Sequence, residues 1–151
     1  MTLDALAGAL ATDLERIVGL FRSLSPASGL SMTAAATLAG IERFGPQRLT
    51  LLAAREGVTQ PAMTQLISRL EEAGLVRREA SREDGRVVLV VITDEGRATL
   101  ARRRAGRAEQ MAGILAHLGP DHRAALANAL PALDALAGIP REDDPARATA
   151  R

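Results

Sequence analysis

Residues 57–76 decide the fold: Gly57-Val58-Thr59-Gln60-Pro61-Ala62-Met63-Thr64-Gln65-Leu66-Ile67-Ser68-Arg69-Leu70-Glu71-Glu72-Ala73-Gly74-Leu75-Val76. Gly57 can supply the left-handed turn that ends a short preceding helix, roughly Arg48 to Glu56. Thr59 is a good N-cap, and Pro61 falls in the first turn, where its missing N–H loses no hydrogen bond. Met63, Leu66, Ile67 and Leu70 recur at steps of three and four, which predicts one buried helix face. Gly74 closes the helix. The remaining side chains, Thr59, Gln60, Thr64, Gln65, Ser68 and Arg69, are polar, and Ala62 is small. A helix laid end-on into the major groove needs such a surface, because Gln can pair bidentately with adenine and Arg with guanine, while Thr64 or Ala62 can meet a thymine methyl.

Just downstream, Arg77 to Ala80 and Val87 to Thr93 predict the strands of a hairpin, with Asp84-Gly85 as its turn signal. Its tip reads Ser81-Arg82-Glu83-Asp84-Gly85-Arg86. An Arg at such a tip can enter the minor groove, where the potential is negative. Asp84 would repel phosphate, so its expected role is to pin the turn or hold an Arg in place. The run Val87 to Ile92 is β-branched but barely alternates, so its outer face is more apolar than a solvated wing requires.

The flanks read as helix. Leu3, Leu6, Leu10, Leu14, Ile17, Val18, Phe21 and Leu24 form one stripe, broken by Ser25-Pro26-Ala27-Ser28-Gly29. Ser31 is a plausible cap for a helix reaching about Arg43, ended by Gly45-Pro46. Thr93 caps a long helix, with Asp94 and Glu95 suiting its dipole, that reaches about Leu118. After Gly119-Pro120 a last helix spans about Asp121 to Leu136, and Pro131 is expected to bend it or end its first half.

Composition narrows the function. All 19 cations are Arg, and the net charge of +1 is too small to indicate a nucleic-acid partner by itself. The distribution says more: Arg77 to Arg107 holds nine Arg against five acids. Two aromatics, Phe21 and Phe44, argue against a stacking platform for single strands. The absence of Cys excludes disulfides, thiol sensing and thiolate metal sites. No apolar run of ~20 residues suggests a membrane span, and no signal-peptide pattern opens the chain, so a cytoplasmic location is the default expectation.

Taken together, these motifs resemble the MarR family of transcriptional regulators over nearly the whole chain. Gly57 to Pro61 is similar to that family's turn into the recognition helix, and Arg69 to Val76 to its exit. Asp84-Gly85-Arg86, six apolar residues and Thr93 resemble its wing signature, and Asp94-Glu95-Gly96-Arg97 the start of its dimerisation helix. Departures are Arg48 where a capping Thr or Ser is common, Gln65 where a basic residue is frequent, Val91 where the wing strand is polar, and Ile92 where Leu is usual.

The expected architecture is mainly α with a small β-hairpin wing: a winged helix-turn-helix plus a helical dimerisation region. One domain spans 1–138, with the winged unit at 25–93, dimerisation helices at 1–24 and 94–138, and a flexible tail at 139–151. The expected DNA-binding residues are Thr59, Gln60, Pro61, Ala62, Thr64, Gln65, Ser68, Arg69, Arg82 and Arg86, with Asp84 organising the wing. The partners would be double-stranded DNA at a pseudo-palindromic operator and a second copy of the chain. The resemblance also implies a repressor released by a small aromatic or anionic effector, held between the dimerisation helices and the winged unit. No cofactor is expected.

Other readings carry less. His117 and His122 straddle Gly119-Pro120 and do not share a helix face, so a metal-responsive regulator lacks a ligand set. No catalytic constellation points to an enzyme. A winged helix that binds protein shares the fold, and steep salt dependence would set DNA binding apart from it. Arg102-Arg103-Arg104 reads as a solvated face or a partner for acids of a second subunit, with an approach to the DNA backbone as the alternative.

Overall fold

The computed structural model describes residues 1–24 and 29–139. The expected break at Ser25 to Ser28 and nearly all of the expected tail lie outside them. Six helices and three short strands follow in the order α1 (Leu3–Ser23), α2 (Met32–Phe44), β1 (Gln47–Arg48), α3 (Leu49–Glu56), α4 (Gln60–Glu72), β2 (Val76–Ala80), β3 (Val88–Ile92), α5 (Asp94–Leu115) and α6 (Pro120–Ala137). The fold class read from the sequence is the one observed.

The core belongs to the winged unit. Leu38 and Ile41 of α2, Leu52 of α3, Met63 and Ile67 of α4 and Val90 of β3 are sealed from solvent, joined by Leu100 of α5. Each such side chain contributes roughly 1.5–3 kcal/mol by leaving water. Caps fix the ends: the hydroxyls of Thr2, Ser31, Thr59 and Thr93 accept backbone N–H bonds at the starts of α1, α2, α4 and α5. α3 starts at Arg48 with no side-chain cap, and it ends at Gly57 in the left-handed conformation (φ 63°). Gly74 (φ 74°) closes α4, and the Leu75 N–H reaches back to the Leu70 carbonyl at 2.9 Å.

Two expectations need correction. The sheet has three strands, not two, in the order β1-β3-β2, all antiparallel. β3 is therefore central: Val90 faces Gln47 on one side and Arg78 on the other, and Leu89 faces Arg48 and Glu79. Val90 and Ile92 are buried on one face of β3 while Leu89 and Val91 on the other are half-buried, so both faces favour apolar side chains and the alternation is weak. β1 is two residues long and has no periodicity to read. It is held instead by Gln47, whose buried amide donates to the Gly40 carbonyl at 3.0 Å and accepts from the Arg55 guanidinium at 2.8 Å. The second concerns Pro131, which does not end the first half of α6: the helix runs through it to Ala137.

α1 and α6 bury no residue at all. Leu3, Leu6, Ile17 and Val18 on α1, and Leu126, Leu130, Leu133 and Leu136 on α6, are exposed. α5 joins this helical arm to the winged unit, and its tightest approach is at Gly96. Gly96 sits so close to the exit of α4 that a β-carbon there would lie 2.1 Å from the Leu75 carbonyl oxygen. Thr93 reinforces the joint, donating its hydroxyl to the Gly74 carbonyl at 2.6 Å and its N–H to the Leu75 carbonyl at 3.0 Å.

Candidate nucleic-acid interface

Helix α4 lays Met63, Ile67 and Leu70 into the core and half-buries Leu66. Helical spacing puts Pro61, Gln65 and Ser68 on the opposite side, flanked by Thr64 and Arg69. Thr59, Gln60, Pro61, Ala62, Thr64, Gln65 and Arg69 are exposed, and Ser68 is half-buried. Some polar capacity is already committed. The Thr59 hydroxyl accepts from the Ala62 N–H at 3.3 Å, and the Thr64 hydroxyl donates to the Gln60 carbonyl at 2.8 Å. Gln65 and Arg69 have longer side chains on the same exposed surface, so they have the greatest reach from the helix.

The wing tip carries Arg82 and Arg86, both exposed. Its turn is built by side chains rather than by glycine: Gly85 is not among the glycines with positive φ. The Asp84 carboxylate accepts from the Arg86 N–H at 3.0 Å, and the Asp84 carbonyl accepts from the Val87 N–H at 2.9 Å. The Ser81 hydroxyl accepts from the Glu83 N–H at 3.3 Å. Asp84 thus ties down the backbone of the arginine two residues on.

Arg78 was not singled out by sequence. From β2 it pairs with the Glu71 carboxylate and donates to the Ser68 hydroxyl at 3.2 Å, while its own N–H reaches Glu71 at 3.2 Å. The base of the wing is thereby fixed to the solvent side of α4. The contact bridges the Gly74 turn, across which helical periodicity predicts nothing.

The arginine run on α5 makes three separate contacts within its own chain: Arg102 and Arg104 stay on the expected solvated face, and Arg103 departs from it by being buried. Arg102 pairs with Glu95 at 2.8 Å on the same helix. Hydrogen bonds from Arg102 and then Thr99 hold the Glu95 carboxyl below its usual range. Arg104 pairs with Glu42 of α2 at 2.7 Å. Arg103 is 5% exposed and donates to the Leu30 carbonyl at 2.7 Å. Burial, then the charge of Arg107, lowers its basicity.

Beside Arg103 lies an apolar cavity of about 520 Å³ between α1, α2 and α5, lined by Phe21, Met32, Leu100, Arg107 and Met111 among others. The Arg107 guanidinium stacks on the Phe21 ring at 4.1 Å, and its Nη2 lies 2.9 Å from the Met32 sulfur. Its Nε–H is buried with no acceptor among the described residues. The sequence carried no signal for this cavity, because its walls come from three distant segments. Among the described residues no group of three or more His, Asp or Glu is placed to hold a metal, and no helix is long and apolar enough to cross a membrane.

Comparisons agree with this geometry. The sequence profile of the MarR family matches residues 30–88, which span the helix-turn-helix and the wing up to the first residue of β3. An HTH-type transcriptional regulator of Mycobacterium leprae, itself uncharacterized, is 34% identical over 124 residues, covering 80% of this chain and 87% of that protein. Among solved structures, Rv1404 of Mycobacterium tuberculosis superposes with a TM-score of 0.73 at 25% identity, covering 94% of this chain and 98% of that one. A MepR-like protein crystallised with pseudoligands is 28% identical with a TM-score of 0.54, covering 90% and 96%.

Proposed function

The chain belongs to the MarR family of DNA-binding transcriptional regulators, and on that premise we propose that it is a homodimeric repressor released from a pseudo-palindromic operator by a small aromatic anion. Thr59, Gln60, Pro61, Ala62, Thr64 and Gln65 face the bases, Ser68 and Arg69 reach the backbone or the groove edge, and Arg82 and Arg86 enter the minor groove with Asp84 setting the turn. The dimer reading rests on α1 and α6, two long helices without one buried residue. Apolar helix faces of that length need a partner, and a two-fold dimer reads two half-sites about one helical turn apart.

The observation that carries the effector reading is the cavity between α1, α2 and α5. Its apolar wall suits an aromatic ring. Arg107 offers a buried N–H that lacks an acceptor, and leaving such a donor unpaired costs about 1–3 kcal/mol, which a bound carboxylate would offset. α2 belongs to the winged unit and α1 and α5 to the helical arm, so a ligand wedged there favours one arrangement of the two over another. The MepR-like relative was crystallised with pseudoligands, which is consistent with a ligand-binding member of this fold.

The test is a titration of the protein into labelled DNA from upstream of its own gene, at several salt concentrations, followed by hydroxybenzoate. Tight binding that weakens with salt and is reversed by the acid supports the reading. Binding lost equally to nonspecific competitor would sink the operator claim, and DNA that stays bound at saturating acid would sink the effector claim.

A further inference from the structure

We propose that Met32 is an oxidation site, and that its sulfoxide acts on the effector cavity as a tethered ligand; the regulatory half of this idea rests on the effector reading above. The chain has four Met and no Cys, so a thioether is its most readily oxidised side chain. Met63 is completely buried in the core, and Met1, though 91% exposed and open to oxidant, is not part of the cavity lining, so its oxidation would leave the cavity unchanged. Met32 and Met111 both line the cavity, and of the two Met32 is the more open, 43% exposed against half-buried Met111. Among the described residues, Met32 alone has its sulfur beside two guanidiniums: Arg107 Nη2 at 2.9 Å and Arg103 Nη2 at 3.9 Å.

Those cations matter before and after the reaction. They attract an anionic oxidant such as hypochlorite. A sulfur lone pair forms the new S–O bond, the O–Cl bond breaks, and chloride leaves with the bonding pair. Sulfur is oxidised by two electrons, chlorine is reduced by two, and hypochlorite transfers its oxygen with no proton gained or lost. The product replaces a weak acceptor with a strong one in reach of two fixed donors. The sulfoxide oxygen then competes with the Leu30 carbonyl for Arg103 and draws Arg107 toward the start of α2. Both arginines belong to α5, and Met32 opens α2. Oxidation therefore shifts the same joint that an anionic effector shifts.

The experiment treats the full chain with one equivalent of hypochlorite, ranks the methionines by peptide mass spectrometry, and measures affinity for a duplex that the protein selects from a randomised pool. Met32→Leu keeps the side-chain volume and removes the oxidisable sulfur, and Met111→Leu is the control from the same cavity. Met32 should convert before Met111, and affinity should fall about tenfold in the wild type and in Met111→Leu, with Met32→Leu unaffected. Methionine sulfoxide reductases with a dithiol should restore binding. Conversion of Met111 with Met32 untouched, an unchanged affinity after Met32 converts, or an equal loss in Met32→Leu overturns the proposal. Hydroxybenzoate run in parallel separates the two claims: release by the acid without an oxidation effect rejects Met32 alone, and the reverse rejects the aromatic effector.

Discussion

Arg104 of α5 and Glu42 of α2 meet at 2.7 Å although 62 residues separate them, and they form a charged contact between the helical arm and the winged unit. Glu42 is 31% exposed and Arg104 57%, so solvent screens the pair. A double-mutant cycle with Glu42→Gln and Arg104→Gln, read by urea denaturation, should return a coupling of at most ~1 kcal/mol. A coupling well above that would mean that the contact is shielded from water in the assembled protein.

The close approach of Gly96 to Leu75, also between α5 and the winged unit, is more demanding. Ala is normally favoured over Gly in a helix by ~1 kcal/mol, but at Gly96 its methyl would lie 2.1 Å from the Leu75 carbonyl oxygen and 2.8 Å from the Ile92 side chain. Backbone blocks it, and no rotamer gives relief. Gly96→Ala should therefore lose about 1–3 kcal/mol of stability, as overpacking does, visible as a lower denaturation midpoint. A midpoint equal to wild type would mean that α5 can slide away from the exit of α4 at no cost.

On the proposed DNA-binding surface, Arg86 and Arg78 should behave differently although both are wing arginines. Arg86 is exposed at the tip, held by Asp84 only through its backbone. Arg86→Ala should weaken binding and lower the salt slope by about one. Arg78 already has Glu71 as its counterion. Arg78→Ala should weaken binding by loosening the wing from Ser68 while leaving the slope near its wild-type value. Equal slopes for wild type and Arg86→Ala would remove Arg86 from the interface. Gln65→Ala should relax one operator position by ~1–3 kcal/mol, and a base-preference profile identical to wild type would refute that assignment.

Much of the winged unit could be read from short-range rules. Thr59, Pro61 and Gly74 each mark a helix end by their own backbone chemistry, and Met63, Ile67 and Leu70 mark a face by spacing. Thr93 and Ser31 announced their helices in the same way. What escaped depends on contacts between segments. β1 exists because buried Gln47 satisfies Gly40 and Arg55, and two residues have no period. Arg78 meets Ser68 across a turn. The cavity needs Phe21, Met32 and Arg107 brought together from three helices. Pro131 does not end α6: proline removes one backbone donor, and the helix continues through it.

Two carboxylates give opposite pH responses. Burial raises the Glu56 pKa against the smaller opposing effect of Arg55. The folded state then binds more protons than the unfolded one just above the ordinary carboxylate range, so stability falls as pH rises through that window. Glu95 is shifted down by Arg102 and Thr99. Its contribution is present above the unfolded pKa and is lost as pH falls below it. Glu56→Gln should remove the first slope and leave the second, and Arg102→Gln should do the reverse, both read from denaturation midpoints across the acid range. An unchanged profile in Glu56→Gln would show that its burial does not persist in solution.

The helical arm makes the sharpest structural prediction. Leu130 is 62% exposed on α6, between Leu126 and Leu133 on the same apolar side. On an isolated chain, replacing an exposed Leu changes stability by less than about 0.5 kcal/mol. In a dimer built on α1 and α6 the same position is desolvated, and Leu130→Asp buries an unpaired carboxylate against its symmetry mate. The variant should sediment as a monomer, unfold at a concentration-independent midpoint below that of wild type, and lose operator affinity, because each winged unit then holds a half-site alone. Leu130→Asp that sediments as a dimer with full operator affinity would move the interface away from this face of α6.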